Sequence, residues 1–157
     1  MVSRFVVVPA AYVFFLRPDP THPDARQVLL QLREGTGFMD GFWAAAVAGH
    51  VEKGESVFAA AVREAKEEMA VTVDADDLTP LCAMHRTGKG APVDERVDYF
   101  FSLTTWSGEP MIVEPDKCAD LRWFSLDDLP DPVVPHELTV LEAIRADDVP
   151  PIVTFGF

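Results

Sequence analysis

Glu64, Glu67 and Glu68 stand at i, i+3 and i+4 within Ser56 to Met69, a segment with the pattern of a helix. On a helix those intervals place the three carboxylates on one face. Like charges gathered this way destabilise an isolated helix, but they become favourable when a hard divalent cation such as Mg²⁺ or Mn²⁺ sits among the oxygens. Waters retained by such a cation contact phosphate and supply a nucleophile, so the spacing points to metal-assisted hydrolysis of a phosphorylated substrate. Three glutamates alone also fit a solvated acidic face with Arg63 and Lys66 interleaved.

The surrounding spacing separates these two readings. Gly49 is followed after five residues by Glu55, and after seven more by Arg63-Glu64-Ala65-Lys66-Glu67-Glu68-Met69-Ala70-Val71. This stretch resembles the Nudix box, matching it at Gly49, Glu55, Arg63, Glu64, Ala65, Glu67, Glu68 and Val71. The resemblance implies an α/β/α sandwich with a mixed central sheet and a loop-helix catalytic box. It implies Mg²⁺ or Mn²⁺ held by Glu64, Glu67, Glu68 and the Gly49 carbonyl, with Glu64 or a neighbouring glutamate deprotonating the attacking water. Arg63 would orient a neighbouring glutamate, Glu55 would support the loop-helix geometry, and His50 would be structural. Arg63, Glu64 and Glu67 are therefore the expected catalytic residues. Ala70 departs from the pattern, because the family has Gly there to end the helix with positive φ. Ala48 likewise stands where a second Gly is common.

Beyond the box, Trp106-Ser107-Gly108-Glu109-Pro110 and Glu114 resemble a segment of the MutT-type nucleoside triphosphate pyrophosphatases, which makes Glu114 a further expected metal ligand. Asp94, Glu95 and Glu109 are alternatives for that role. Trp123 to Pro130 resembles the last strand and turn of the same branch, so the likeness runs from about Phe5 to Ala146. Val133 occupies the position of an Asn found in enzymes that read oxidised guanine, which weakens that specificity here. Residues 86–89 are Arg-Thr-Gly-Lys and carry neither the Pro of ADP-ribose hydrolases nor the Tyr of diadenosine polyphosphate hydrolases. The expected reaction is hydrolysis of a (deoxy)nucleoside triphosphate to a monophosphate and pyrophosphate. Hydrolysis of ADP-ribose or a nucleotide sugar, and nucleotide sensing without turnover, stay open. Phe42 and Trp43 are the candidates for contact with the base, alongside Phe38, Tyr99 and Phe101, and core packing is the alternative for each. Arg86 and Arg96, with Lys89, are expected to meet phosphate or else to be solvated.

These residues need elements to position them. Runs rich in β-branched and aromatic residues predict strands at Phe5 to Leu16, Gln27 to Leu32, Trp43 to Val47, Leu78 to His85, Val97 to Thr105 and Leu121 to Phe124. Clusters of Pro, Gly and Asp between them predict loops, notably over residues 18–24, 34–41, 87–94 and 106–120. Helices are expected over Ser56 to Met69, with Ser56 as N-cap and Val57, Ala60, Ala61 and Ala65 as the apolar stripe, and over Glu137 to Ala146. Strands flanking isolated helices suggest a mixed sheet covered on both faces, within one domain over residues 1–157.

Composition narrows the partners. A formal net charge of -13 over 157 residues repels polymeric nucleic acid and anionic membranes. It would repel a small nucleotide too unless divalent cations stood between phosphate and carboxylate. Cys82 and Cys118 lack disulfide or zinc spacing and read as buried free thiols. The apolar run after Arg4 is too short to span a bilayer, lacks a cleavage signal, and fits a first strand better than a signal peptide. These features lead to the expectation of a cytoplasmic protein that takes a small nucleotide; a homodimer stays open.

Overall fold

A computed structural model describes residues 3–157. Its strands are β1 (Val8–Pro18), β2 (Arg26–Arg33), β3 (Trp43–Ala45), β4 (Val47–His50), β5 (Thr79–Thr87), β6 (Glu95–Leu103), β7 (Cys118–Ser125) and β8 (Ile152–Phe155). The helices are α1 (Val57–Met69) and α2 (Pro135–Arg145). The sheet runs β3-β2-β1-β6-β5-β8, with β4 also pairing β1 and β7 also pairing β2. Pairing is parallel for β1 with β6 and for β5 with β8, and antiparallel elsewhere, so the sheet is mixed.

Strand β1 shows why two helical layers are needed. Ala10, Tyr12, Phe14 and Leu16 pack on one face with Val140, Leu141 and Ile144 of α2. Ala11, Val13 and Phe15 pack on the other with Ala60, Ala61, Ala65 and Met69 of α1. A strand apolar at every position must be covered on both faces. Burial of Phe14 and Phe15 stabilises the fold by roughly 1.5–3 kcal/mol each. The alanines on α1 let its axis approach the sheet closely, which brings the acidic residues of the box near β4. The sandwich expected from the sequence is therefore present.

Several boundaries differ from expectation. The first strand begins at Val8, because Phe5 and Val6 are exposed and have no strand partner. The segment Trp43 to Val47 divides at Ala46: β3 pairs with β2, whereas β4 pairs with β1. Strand β7 reaches back to Cys118, into a predicted loop, through the pairing of Arg33 with Cys118. Helix α2 starts at Pro135, whose missing N–H costs nothing in a first turn. Strand β8 has no sequence counterpart because Pro150 and Pro151 interrupt the pattern just before it; it is held in parallel pairing with β5. Both cysteines are buried and free. Among the described residues no helix is long and apolar enough to cross a membrane.

Candidate active site

The box is folded around Arg63. Ser56 caps α1 by accepting the Ala59 N–H at 3.1 Å. Glu55 accepts the Glu52 N–H at 2.8 Å, closing the preceding turn. Nearly two turns into the helix, Arg63 reaches back to donate to both oxygens of Glu55, at 3.1 and 2.7 Å, and to the His50 carbonyl at 3.1 Å. Its remaining amino group donates to Glu64 at 2.8 Å and to Glu67 at 3.1 Å. The guanidinium beside Glu55 holds that carboxyl below its ordinary range, and Glu55 in turn raises the Arg63 pKa.

Glu64 lies against Gly49, where an added Cβ would overlap its carboxyl group, so only glycine lets the acid lie this close to β4. Burial raises the Glu64 pKa, and Arg63 opposes the shift. Glu68 accepts the Ala48 N–H at 2.9 Å. Burial pushes its carboxyl up to about 8, and the neighbouring Glu64 and Glu114 charges add to the effect. Glu67 is more exposed and bonded to Arg63. Glu114, from the loop between β6 and β7, lies 3.4 Å from Lys117. It lines with Glu68 a cleft of about 330 Å³ that also includes Gln31 and Arg33.

The donor set fits a hard divalent cation in its chemistry, since its side-chain donors are carboxylate oxygens and a cation would offset both the burial that chiefly raises the Glu68 pKa and the added repulsion from Glu64 and Glu114. The carboxylates are not gathered around one point. Arg63 holds Glu64 and Glu67, Glu68 is turned to Ala48, and in this arrangement no three His, Cys, Asp or Glu side chains among the described residues are drawn together around one point. The expected convergence of the three glutamates is thus incomplete, because spacing sets the helix face but not the rotamers.

A second cleft, of about 350 Å³, adjoins the first along Arg33 and Ala48. The chain segment before α2 positions its wall. Trp43 donates its N–H to the Pro132 carbonyl at 2.9 Å and accepts the Val134 N–H at 2.9 Å, so this segment lies along the outer edge of β3. The next outward donor on that edge, the Ala45 N–H, goes to the buried Glu137 carboxylate at 2.7 Å. Burial pushes the Glu137 carboxyl up to about 7. Behind the cleft, Arg86 donates its Nε–H to Asp98 at 2.8 Å, and the other Asp98 oxygen is buried without a partner. His136 lies 3.3 Å from the Tyr12 hydroxyl, and burial lowers its pKa to about 3, so the imidazole is neutral. Arg96 donates to His50 Nε2 at 2.8 Å and to the Val93 carbonyl at 2.7 Å.

Of the expected substrate contacts, Arg86, Arg96 and Phe38 line the second cleft, as does Asp94. Phe42 and Trp43 line neither cleft. Trp43 packs edge-on against Phe124 with ring centroids 4.8 Å apart, and Phe42 is half-buried with its carbonyl accepting from Arg33. Tyr99 and Phe101 belong to the α1 side of the sheet, where Phe101 packs on Phe58. Lys89 and Glu109 line neither cleft, and Glu95 accepts from Thr87. Val133 is buried in the α2-side core. Sequence reasoning missed Tyr12, Arg33, Asp98, His136 and Glu137. The available signal was a charged residue inside an otherwise apolar pattern, which buries only with a partner.

Comparison with known proteins agrees with this architecture. The NUDIX domain model matches residues 8–144. The structure of a MutT NUDIX hydrolase from Burkholderia pseudomallei superposes with a TM-score of 0.74 at 28% identity, covering 87% of this chain and 97% of that one. The NUDIX domain of Shewanella oneidensis NrtR, solved with ADP ribose, superposes with a TM-score of 0.69 at 18% identity over 90% of this chain and 88% of that one, a likeness of fold. An 84-residue stretch is 33% identical to the NAD-capped RNA hydrolase NudC of Stutzerimonas stutzeri (strain A1501), covering 54% of this chain and 28% of that protein.

Proposed function

Since the chain belongs to the Nudix hydrolase family, we propose that it cleaves a phosphoanhydride bond in a nucleoside triphosphate, releasing a monophosphate and pyrophosphate. The observation that carries this reading is the meeting of two unlike clefts at Arg33 and Ala48. One is walled by carboxylates of the box and its loop; the other has cationic and hydrogen-bonding side chains around a space of nucleoside size. Phosphates at the junction would meet Arg33, with Arg86 and Arg96 beyond it.

Glu64, Glu67, Glu68, Glu114 and the Gly49 carbonyl are the proposed donors to Mg²⁺ or Mn²⁺. When bound, the cation neutralises phosphate charge and acidifies water. Glu64 or Glu67 takes the proton of the attacking water as its oxygen bonds to phosphorus and the bridging P–O bond breaks. Arg63, bonded to both acids, positions whichever serves as base.

The test is a chromatographic screen of nucleotide products with Mg²⁺ and Mn²⁺ over nucleoside triphosphates, ADP-ribose, nucleotide sugars and dinucleoside polyphosphates. Triphosphates are expected to give the highest kcat/KM. A preference for ADP-ribose or a nucleotide sugar overturns the substrate assignment, and nucleotide binding without any turnover makes the protein a sensor.

A further inference from the structure

We propose that Glu137 and Arg86 make the second cleft selective for guanine among the nucleobases, an inference that rests on reading this cleft as the nucleoside side of the site. Glu137 is 3% exposed, yet it lines the cleft. Its bond to Ala45 engages one oxygen, and an ionised carboxylate can accept about four hydrogen bonds. Acceptor capacity therefore remains at the cleft wall. Arg86, also in the wall, has its Nε–H committed to Asp98 as its one side-chain hydrogen bond among the described residues. Its terminal amino groups carry further donors. Both side chains line this one cleft, which places the acceptor and the donors around a common space.

A carboxylate that accepts two hydrogen bonds side by side needs two adjacent donors. On the Watson–Crick edges of the common bases, guanine alone offers them, in N1–H and the 2-amino group, with O6 as the acceptor next in line for Arg86. Adenine and cytosine set a ring-nitrogen lone pair beside their amino group, and uracil flanks its N3–H with carbonyl oxygens. Each would direct a lone pair at the carboxylate. Buried Asp98 adds to the case, because its bond to the Arg86 Nε–H holds the guanidinium in place as a fixed donor rather than a mobile surface side chain.

Glu137 also caps the outer edge of β3, and the experiment must separate that structural role from base selection. Dissociation constants for GMP, IMP, AMP and CMP are measured on the intact protein and on Glu137→Gln, with the pH held above the value of about 7 to which burial pushes this carboxyl. Gln keeps an oxygen for the Ala45 N–H but replaces the other acceptor with a donor. The wild type is expected to bind GMP about tenfold or more tightly than AMP or CMP, with IMP, which lacks the 2-amino group, between them. Glu137→Gln should lose about tenfold for GMP while holding or improving AMP, a reversal that loss of an edge cap cannot produce. Equal wild-type affinities, or a parallel loss for every base in the variant, would overturn the proposal. Affinity for monophosphates is independent of which anhydride is cut. A guanine preference combined with turnover of nucleotide sugars alone would remove the triphosphate assignment and leave this one standing.

Discussion

Arg63 touches more of the site than any one of its glutamates: it joins Glu55, Glu64, Glu67 and the His50 carbonyl through a single planar group. Five donors in a rigid fork suit it to this role, and lysine could not reproduce the geometry. The acids it leaves nearest to β4, Glu64 and Glu68, carry the strongest expectation at this scale. Glu64→Gln and Glu68→Gln should each lower kcat at least about a hundredfold, because each removes charge or base strength where phosphate chemistry would occur. Steady-state kinetics, with circular dichroism to confirm the fold, would check this; near-normal turnover in both variants contradicts the assigned roles.

Helix α1 is well specified at its start and strained at its end. Ser56 supplies a capping oxygen, whereas Ala70 closes the helix at φ 58°, ψ 27°, a left-handed conformation in which its Cβ is crowded. Its N–H still bonds to the Lys66 carbonyl, so the helix terminates as the box requires without the usual glycine. Ala70→Gly should therefore stabilise the protein by about 1 kcal/mol and leave turnover nearly unchanged. Urea denaturation measures the first part, and a less stable variant would show that the unfolded-state entropy of glycine outweighs the relief of strain. At the other helix, α2 and the segment before it complete the free edge of β3. Glu137 is thus an element-level device as well as a wall of the cleft.

At the scale of the whole molecule, charge links stability to solution conditions. An unfolded chain releases the Glu137 proton near 4.5, but the folded chain retains it until about 7. Between those values the folded state holds more protons, so this stabilising contribution is complete below about 4.5 and is lost as pH rises through about 7. Relative to Glu137→Gln, the wild type should lose on the order of 1 to 3 kcal/mol across that window, read as diverging urea midpoints. Parallel midpoints would mean the carboxyl titrates normally. The net charge of -13 would repel an anionic substrate unless cations stood between them, which is the premise of the proposed metal dependence. Activity should vanish in excess chelator and return with Mg²⁺ or Mn²⁺ in excess. Turnover that chelation leaves intact would rule out the proposed metal dependence.

Local order was legible in the sequence wherever a short-range pattern carries it. The helix from Ser56 to Met69 with its Ser56 cap, and the apolar run that forms β1 from Val8, are physical statements about near neighbours, and the structure has both. The left-handed end of α1 was legible too, as a departure at Ala70. Contacts between distant segments were not. Nothing in the residues around Glu137 announces a bond to Ala45, 92 positions earlier, and nothing around Trp43 says that its ring turns to Phe124 rather than to a base. Periodicity states that a side chain is buried or shares a face; it does not state which of two faces, or which distant partner waits there. Those choices follow from the order of strands in the sheet. That order put Arg33 at the junction of the clefts and set Arg86 and Asp98 side by side, whereas the turn of Glu67 toward Arg63 is a rotamer choice within one helix, which spacing does not fix.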